Sequence, residues 1–486
     1  MNTLRFSVAY VAITGMLAAC ASSATAQVQH VDVPATFAPA SASPVYGPSA
    51  ASVDQAAFFA DDTLLALITE ALAGNPDLQI AVERVELARA AVTRVTAPLW
   101  PTLSVRTDAG LTRWPRYTVE GAGNAGTDIT RGRAVPNPVG DLSLGFEAGW
   151  EADLWGRLRR ARDAARTEVL ASREGANLVV TGLVEAVAAA YVELVALDDV
   201  SEVLAKTIVR QAEAVLMMRA QKEAGRTTEL AVKQFEAQLA ATRAQAAATV
   251  RQVRELESAL VALVGRTSGG VVRSREYLRR GDDATPSVGA PSDLLRNRPD
   301  VREAELRIQA AGLSVDAARA AYYPRLTLST GVSYRAFEPR YLFSTPQSLG
   351  YQAFAGVSLP LLNLGDLDAD LTEAEATRVQ AIHAYRGTVQ RAFAEVQAGL
   401  AGVEQASEVV SERQRRQAAI AGTVDAADAL FRAGKASYLE VLLAQQGSLE
   451  AEIELIEALR DRHLARIGLY KALGGGWQGA GAPRDE

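Results

Sequence analysis

The sequence predicts a mixed α and β membrane protein built from two tandem repeats. Three observations predict it: segments that recur at fixed offsets, helical stretches too long for an ordinary globular core, and strands of about ten residues that alternate in polarity.

The recurrence comes first. Asn75-Pro76-Asp77-Leu78 returns 223 residues on as Arg298-Pro299-Asp300-Val301, and Trp100-Pro101-Thr102-Leu103-Ser104 returns at the same offset as Tyr323-Pro324-Arg325-Leu326-Thr327. Farther along the offset is 209. Trp155-Gly156 matches Leu364-Gly365, Ala224-Gly225-Arg226 matches Ala433-Gly434-Lys435, and Leu263-Val264-Gly265 matches Ala472-Leu473-Gly474. Two fixed offsets 14 residues apart mean one length difference in one connection. The segments 113–140 and 337–350, 28 and 14 residues long, supply it. A tandem duplication of this kind builds a pseudo-symmetric object.

The N-terminus, 1–19, reads as a signal peptide, with Arg5 ahead of a mostly apolar run from Val8 to Leu17. Leu17-Ala18-Ala19-Cys20 has the form of a bacterial lipobox, so Cys20 is the expected lipidation site; ordinary cleavage after Ala24-Thr25-Ala26 is the alternative. Cys20 is the only cysteine, which excludes an internal disulfide. Beyond it no apolar run approaches the roughly 20 residues of a transmembrane helix, so a spanning structure has to be a β-barrel. Residues 20–60, rich in Ala, Ser and Pro, read as a tether, and 475–486 as a flexible tail.

Repeat 1 spans 61–282 and repeat 2 spans 283–474. Each opens with helix broken at Pro76 or Pro299, the position of an N1 proline. Two strands follow, at 101–112 and 141–152 and again at 325–336 and 351–361. A long helical hairpin closes each repeat, at 157–264 and 366–473. No proline lies between Pro138 and Pro286 or between Pro360 and Pro483, where each would cost about 3 kcal/mol inside a helix. The stretch from 157 to 224 would extend about 100 Å at 1.5 Å per residue. Val180, Val184, Val187, Tyr191 and Leu194 step by four and three, as do Val389, Phe393, Val396, Leu400 and Val403. That is a coiled-coil seam. Each stretch is expected to break once, at Gly225 and Gly434.

In the strands, Leu103, Val105, Thr107, Ala109 and Leu111 share one face while Ser104, Arg106 and Asp108 share the other. Leu142, Leu144, Phe146, Ala148 and Trp150 alternate likewise, and the fourth strand alternates less clearly. Trp100, Trp150, Trp155, Tyr322 and Tyr323 stand at strand ends, where an interfacial aromatic girdle belongs. Four strands cannot close a barrel, but twelve from three chains can.

These features resemble the TolC-type outer membrane factor family, in its lipoprotein branch that serves resistance-nodulation-division efflux systems. The most specific stretches are Pro291-Ser292-Asp293-Leu294-Leu295-Arg296-Asn297-Arg298-Pro299-Asp300-Val301-Arg302, Ala320-Ala321-Tyr322-Tyr323-Pro324-Arg325-Leu326, and the region of Gly434 with Tyr438-Leu439-Glu440-Val441-Leu442. The resemblance implies a homotrimer with a twelve-strand barrel in the outer membrane of a Gram-negative bacterium and a twelve-helix periplasmic barrel. It implies a lipid-anchored exit duct that passively conducts small molecules such as drugs, with a periplasmic adaptor and an inner-membrane pump as partners. It places the closed end at the periplasmic tip. There Leu439 matches an apolar gate position and Glu440 an acidic ring position. Leu443 departs from a second acidic position. The tips Gly225-Arg226-Thr227 and Gly434-Lys435 are the expected adaptor docking surface.

Other readings have less support. Net charge is −7 with no basic patch, which argues against nucleic acid. The pattern Gly121 to Gly126 lies in the long loop with no strand before it, so it is no dinucleotide site. Asp366, Asp368 and Asp370 suit a helix start, and His30, His383 and His463 lack ligand spacing; no cofactor or metal is expected. Asp425 and Asp428 read as surface acids. A non-conducting trimeric coiled-coil scaffold or adhesin would share the heptads, and a periplasmic lipoprotein enzyme would need a nucleophile motif that is not found.

Overall fold

The computed structural model describes residues 49–280, 287–362 and 364–478. Cys20, the signal segment, most of the tether, the boundary between the repeats at 282 and 283, and the end of the tail lie outside the described residues.

Helix α1 (Gln55–Phe59) leads into α2 (Asp62–Gly74) and α3 (Pro76–Thr96). Asp61 caps α2 by accepting the Leu64 N–H at 2.9 Å, and Asn75 caps α3 by accepting the Leu78 N–H at 3.0 Å, with Pro76 in the first turn. Strand β1 (Thr102–Thr112) follows, then α4 (Val119–Ala125), the small hairpin β2 (Asp128–Thr130) and β3 (Arg133–Ala134), and the long strand β4 (Val139–Ala152). The first helical hairpin is α5 (Arg157–Glu223) and α6 (Glu229–Leu263). The same order then recurs: α7 (Leu294–Asn297), α8 (Pro299–Ala320), β5 (Arg325–Ala336), β6 (Leu349–Ser358), α9 (Gly365–Ile420), α10 (Thr423–Arg432) and α11 (Tyr438–Ala472).

The four long strands form one antiparallel sheet in the order β1-β4-β5-β6, so the second β-hairpin extends the first. The heptad seam is core: Val184, Val187, Tyr191 and Leu194 of α5 are buried, as are Val389, Val396, Leu400 and Val403 of α9. An 18-residue window of α5 is long and apolar enough by composition to cross a membrane, which the sequence reading passed over; more than half of that window is buried inside the protein.

Each hairpin closes on its own repeat through one contact made twice. Asn75 Nδ2 donates to Leu263 O at 2.9 Å, and Arg298 Nη1 donates to Ala472 O at 2.8 Å. Gly265 (φ +81°) and Gly474 (φ +90°) then pass so close to Gly74 O and Asn297 O that a Cβ would lie 2.1 Å and 2.6 Å from them. Only glycine satisfies both the left-handed backbone and the close approach.

Five expectations need correction. The tether does not run free to residue 60: Ala50 and Ala51 are buried beside Leu473, and Phe58 stacks on Tyr470 with centroids 4.0 Å apart. The tail from 475 begins docked, since Trp477 Nε1 donates to Asn297 O at 3.0 Å. The fourth strand is Leu349–Ser358 rather than 351–361, because Pro360 has no N–H for a ladder. The 113–140 loop is not bare, holding α4 over the Gly121 pattern and the β2–β3 hairpin. The second hairpin breaks twice, since Gly422 (φ +81°) separates α9 from α10 ahead of the tip. Smaller boundary shifts, 102 and 139 against 101 and 141, are end fraying.

Candidate functional site

The register sorts the sheet into two faces. Val105 pairs with Phe146, Phe146 with Val332, and Val332 with Tyr351, so one apolar row crosses all four strands. Rows above and below it continue the pattern through Thr107, Leu144, Tyr334 and Leu349 and through Trp150, Leu328 and Ala355. Val105, Phe146, Val332 and Tyr351 are all exposed, so this apolar face has no protein partner within the chain.

The opposite face is polar and internally paired. Arg106 Nε donates to Asp108 at 3.0 Å while its Nη1 lies 3.8 Å from Glu147, and Ser143 donates to Asp108 at 3.0 Å. Arg335 grips Asp141 through two nitrogens, at 2.8 Å and 2.6 Å. Phe354, paired with Ser329, and Val139, paired with Thr112, are apolar exceptions on this face. A sheet with one lipid-like face and one wet face is the two-sided strand pattern of a transmembrane barrel.

The five expected girdle residues gather at one end of the sheet, the end joined to the helices. Trp150 Nε1 donates to Leu99 O at 3.0 Å, and Trp155 Nε1 donates to Pro324 O at 2.8 Å while its ring stacks on Tyr323 at 5.0 Å. Trp100 is exposed, as an interfacial ring is. The Tyr322 hydroxyl donates to Asp368 Oδ1 at 2.5 Å, in the first turn of α9. The other end has an aromatic set that the sequence reading missed. Tyr334 meets Phe343 at 5.7 Å and Phe337 meets Tyr341 at 6.1 Å, and the density of rings over 334–343 was the available signal. The two loops there are tied by Arg133 and Glu338 at 3.2 Å.

At the far end of the long helices the two tips are copies. Gly225 (φ +70°) and Gly434 (φ +71°) each close a helix: their N–H groups donate to Lys222 O and Phe431 O at 2.9 Å and 3.0 Å, and those of Arg226 and Lys435 to Gln221 O and Leu430 O at 2.8 Å and 2.9 Å. Thr227 follows, and Thr228 caps α6 by accepting the Ala231 N–H at 3.3 Å. Leu439, Glu440 and Leu443 occupy the first turns of α11. Leu439 and Leu443, four apart, share a helix face and are exposed. Glu440 accepts the Ser437 N–H at 2.5 Å and thus also caps the helix.

No group of three or more metal-binding side chains occurs among the described residues. Asp366 and Asp368 open α9 in its first turn, where they suit the helix dipole. His463 is buried against Leu278 O at 3.3 Å and the Tyr277 ring.

An amphipathic sheet continuous with long helical hairpins, whose longest helix α5 runs about 100 Å, fits the class of outer membrane channels. The chain belongs to the outer membrane efflux protein family, whose model matches residues 67–266 and 290–475. It is 30% identical over 425 residues to the cation efflux system protein CusC of Escherichia coli CFT073, covering 87% of this chain and 88% of that protein. It is 31% identical over 425 residues to the pyoverdine export outer membrane protein OpmQ of Pseudomonas aeruginosa PAO1, covering 86% of each. A membrane protein crystal structure from Pseudomonas aeruginosa superposes with a TM-score of 0.81 at 26% identity, over 91% of this chain and 99% of that one. The open-state Neisseria gonorrhoeae MtrE outer membrane channel gives 0.80 at 25% identity, over 92% and 96%. The protein is therefore the outer membrane exit duct of a tripartite efflux pump, a transport channel by family, and the scaffold reading falls away.

Proposed function

We propose that three copies close into a twelve-strand barrel above a twelve-helix tunnel, each chain contributing two tandem repeats. The observation that carries this reading is the pair of free sheet edges. Strands β1 and β6 are each hydrogen-bonded on one side only and exposed along their whole length. Unpaired backbone groups are untenable in hydrocarbon, so the β6 edge of one copy has to meet the β1 edge of the next. Threefold repetition satisfies every edge.

The duct is lipid-anchored at Cys20 and carries small molecules passively, with energy from an inner-membrane pump joined through a periplasmic adaptor. The two matched tips, Gly225-Arg226-Thr227 and Gly434-Lys435, present like surfaces to the adaptor's hairpins. Leu439, Glu440 and Leu443 narrow the tip around the threefold axis. The relatives named above export cations and pyoverdine, and for this chain drugs and toxic compounds are the proposed cargo.

Negative-stain microscopy of the detergent-purified mature protein tests the assembly: hollow threefold tubes are expected, and compact monomers would refute the reading. The gate is tested in planar bilayers. Three Glu440 carboxylates around one axis favour cations. Glu440→Gln is expected to shift the reversal potential in a salt gradient most of the way to zero. An unchanged potential would assign Glu440 to helix capping alone.

A further inference from the structure

Helix α10 is a short segment set between two left-handed glycines, Gly422 (φ +81°) and Gly434 (φ +71°). Ahead of it Ala421 is extended (ψ 129°), so the helical hydrogen-bond ladder is interrupted on the approach to the tip. The corresponding stretch of the first hairpin, 209 residues earlier around Glu213, runs unbroken through α5. The hinge is therefore particular to the second hairpin. Beyond it α10 packs chiefly on α11.

Beneath α10 lies a cavity of about 120 Å³ between the two hairpins, lined by Gln211 of α5, Gln445 of α11 and Asp428 of α10. Gln211 is 1% exposed, and neither its Oε1 nor its Nε2 has a partner; Gln445 is 8% exposed with Oε1 unpartnered. Leaving a buried donor and acceptor unsatisfied is costly, so the site is built to receive a group that both donates and accepts. An ionised carboxylate only accepts and would serve Nε2 alone. A protonated carboxyl serves both amide atoms at once, its O–H donating to Oε1 and its C=O accepting from Nε2.

We propose that Asp428 and Gln211 form a proton-operated latch between the hairpins: a protonated Asp428 docks on the Gln211 amide and draws α10 about Gly422 onto α5. Burial pushes the Asp428 carboxyl up from its ordinary range; Arg432 on the same helix opposes this and Asp425 adds to it. Arg210 and Glu213 of α5 also line the cavity, whereas α6 and α11 present only uncharged side chains to it. The sign follows. A carboxyl whose pKa is raised by docking favours the docked state below that pKa, and docking is lost as pH rises through it.

Hydrogen–deuterium exchange on the full-length protein in detergent tests the latch, with rates corrected for the intrinsic pH dependence of exchange. The α10 amides are expected to exchange about tenfold more slowly at about pH 5 than at about pH 7.5, the effect of one unit of pKa difference between docked and free Asp428. Asp428→Asn, whose amide donates and accepts at every pH, should be protected at both. Gln211→Leu should be unprotected at both, while exchange in β4 and β5 reports that the fold is intact. Wild-type α10 exchange independent of pH, or pH dependence that survives in Asp428→Asn, overturns the proposal.

Discussion

Val332→Arg is expected to prevent assembly into the outer membrane, while Gln352→Arg in the neighbouring strand leaves assembly intact. Both lie well inside the sheet, where Val332 pairs with Tyr351 and Gly331 with Gln352. They differ in face. Val332 belongs to the exposed apolar row with Val105 and Phe146, and Gln352 to the polar face with Glu147. An arginine toward lipid near the bilayer midplane costs about 2–4 kcal/mol. Three chains in one barrel bring the total to roughly 6–12 kcal/mol, comparable to the whole stability of an ordinary domain. On the polar face an arginine meets water and nearby carboxylates. The measurement is the yield of detergent-resistant oligomer and its urea midpoint. If Val332→Arg assembles normally and Gln352→Arg does not, the two faces are assigned the wrong way round.

Arg298→Met, at the cap between α7 and α8, should cost about 3 kcal/mol. Arg298 is buried and ties three elements. Its guanidinium holds Asp300 at 3.0 Å and 2.8 Å, Glu395 of α9 at 2.7 Å and the last turn of α11 through Ala472 O at 2.8 Å. Glu395 is half exposed and regains water when the arginine goes, which keeps the loss at the lower end of the range for a broken buried pair. The Asp300 carboxylate and the Ala472 carbonyl lose their donor without that relief. Asn75→Ala tests the equivalent joint of the first repeat. It removes an N-cap and one link to Leu263 O, about 1 kcal/mol for the cap. Denaturant midpoints compare the two. A larger loss at Asn75 than at Arg298 would show that the joint of the first repeat carries the load.

The sequence by itself determined the parts whose signal is local and periodic. The N1 prolines Pro76 and Pro299, the seam from Val180 to Leu194 and the tip glycines Gly225 and Gly434 all stand where the pattern put them. Proline geometry, a 3.5-residue repeat and a left-handed turn are each fixed within a few residues, and the duplication states each signal twice. The alternation of β1, β4 and β5 fixed which face is apolar for the same reason.

Tertiary structure alone decided the rest. Residues 49–60 have a linker's composition, yet Phe58 finds the Tyr470 ring more than 400 residues away. Gly422 looks like one more tolerated glycine in a proline-free helix, and only its neighbours show that the ladder breaks there. Asp428 reads as a solvated acid until the first hairpin sets Gln211 across a cavity from it. Such pairings join residues far apart in sequence. Side-chain period records which face a residue presents, but not which distant group will meet it once the chain has closed.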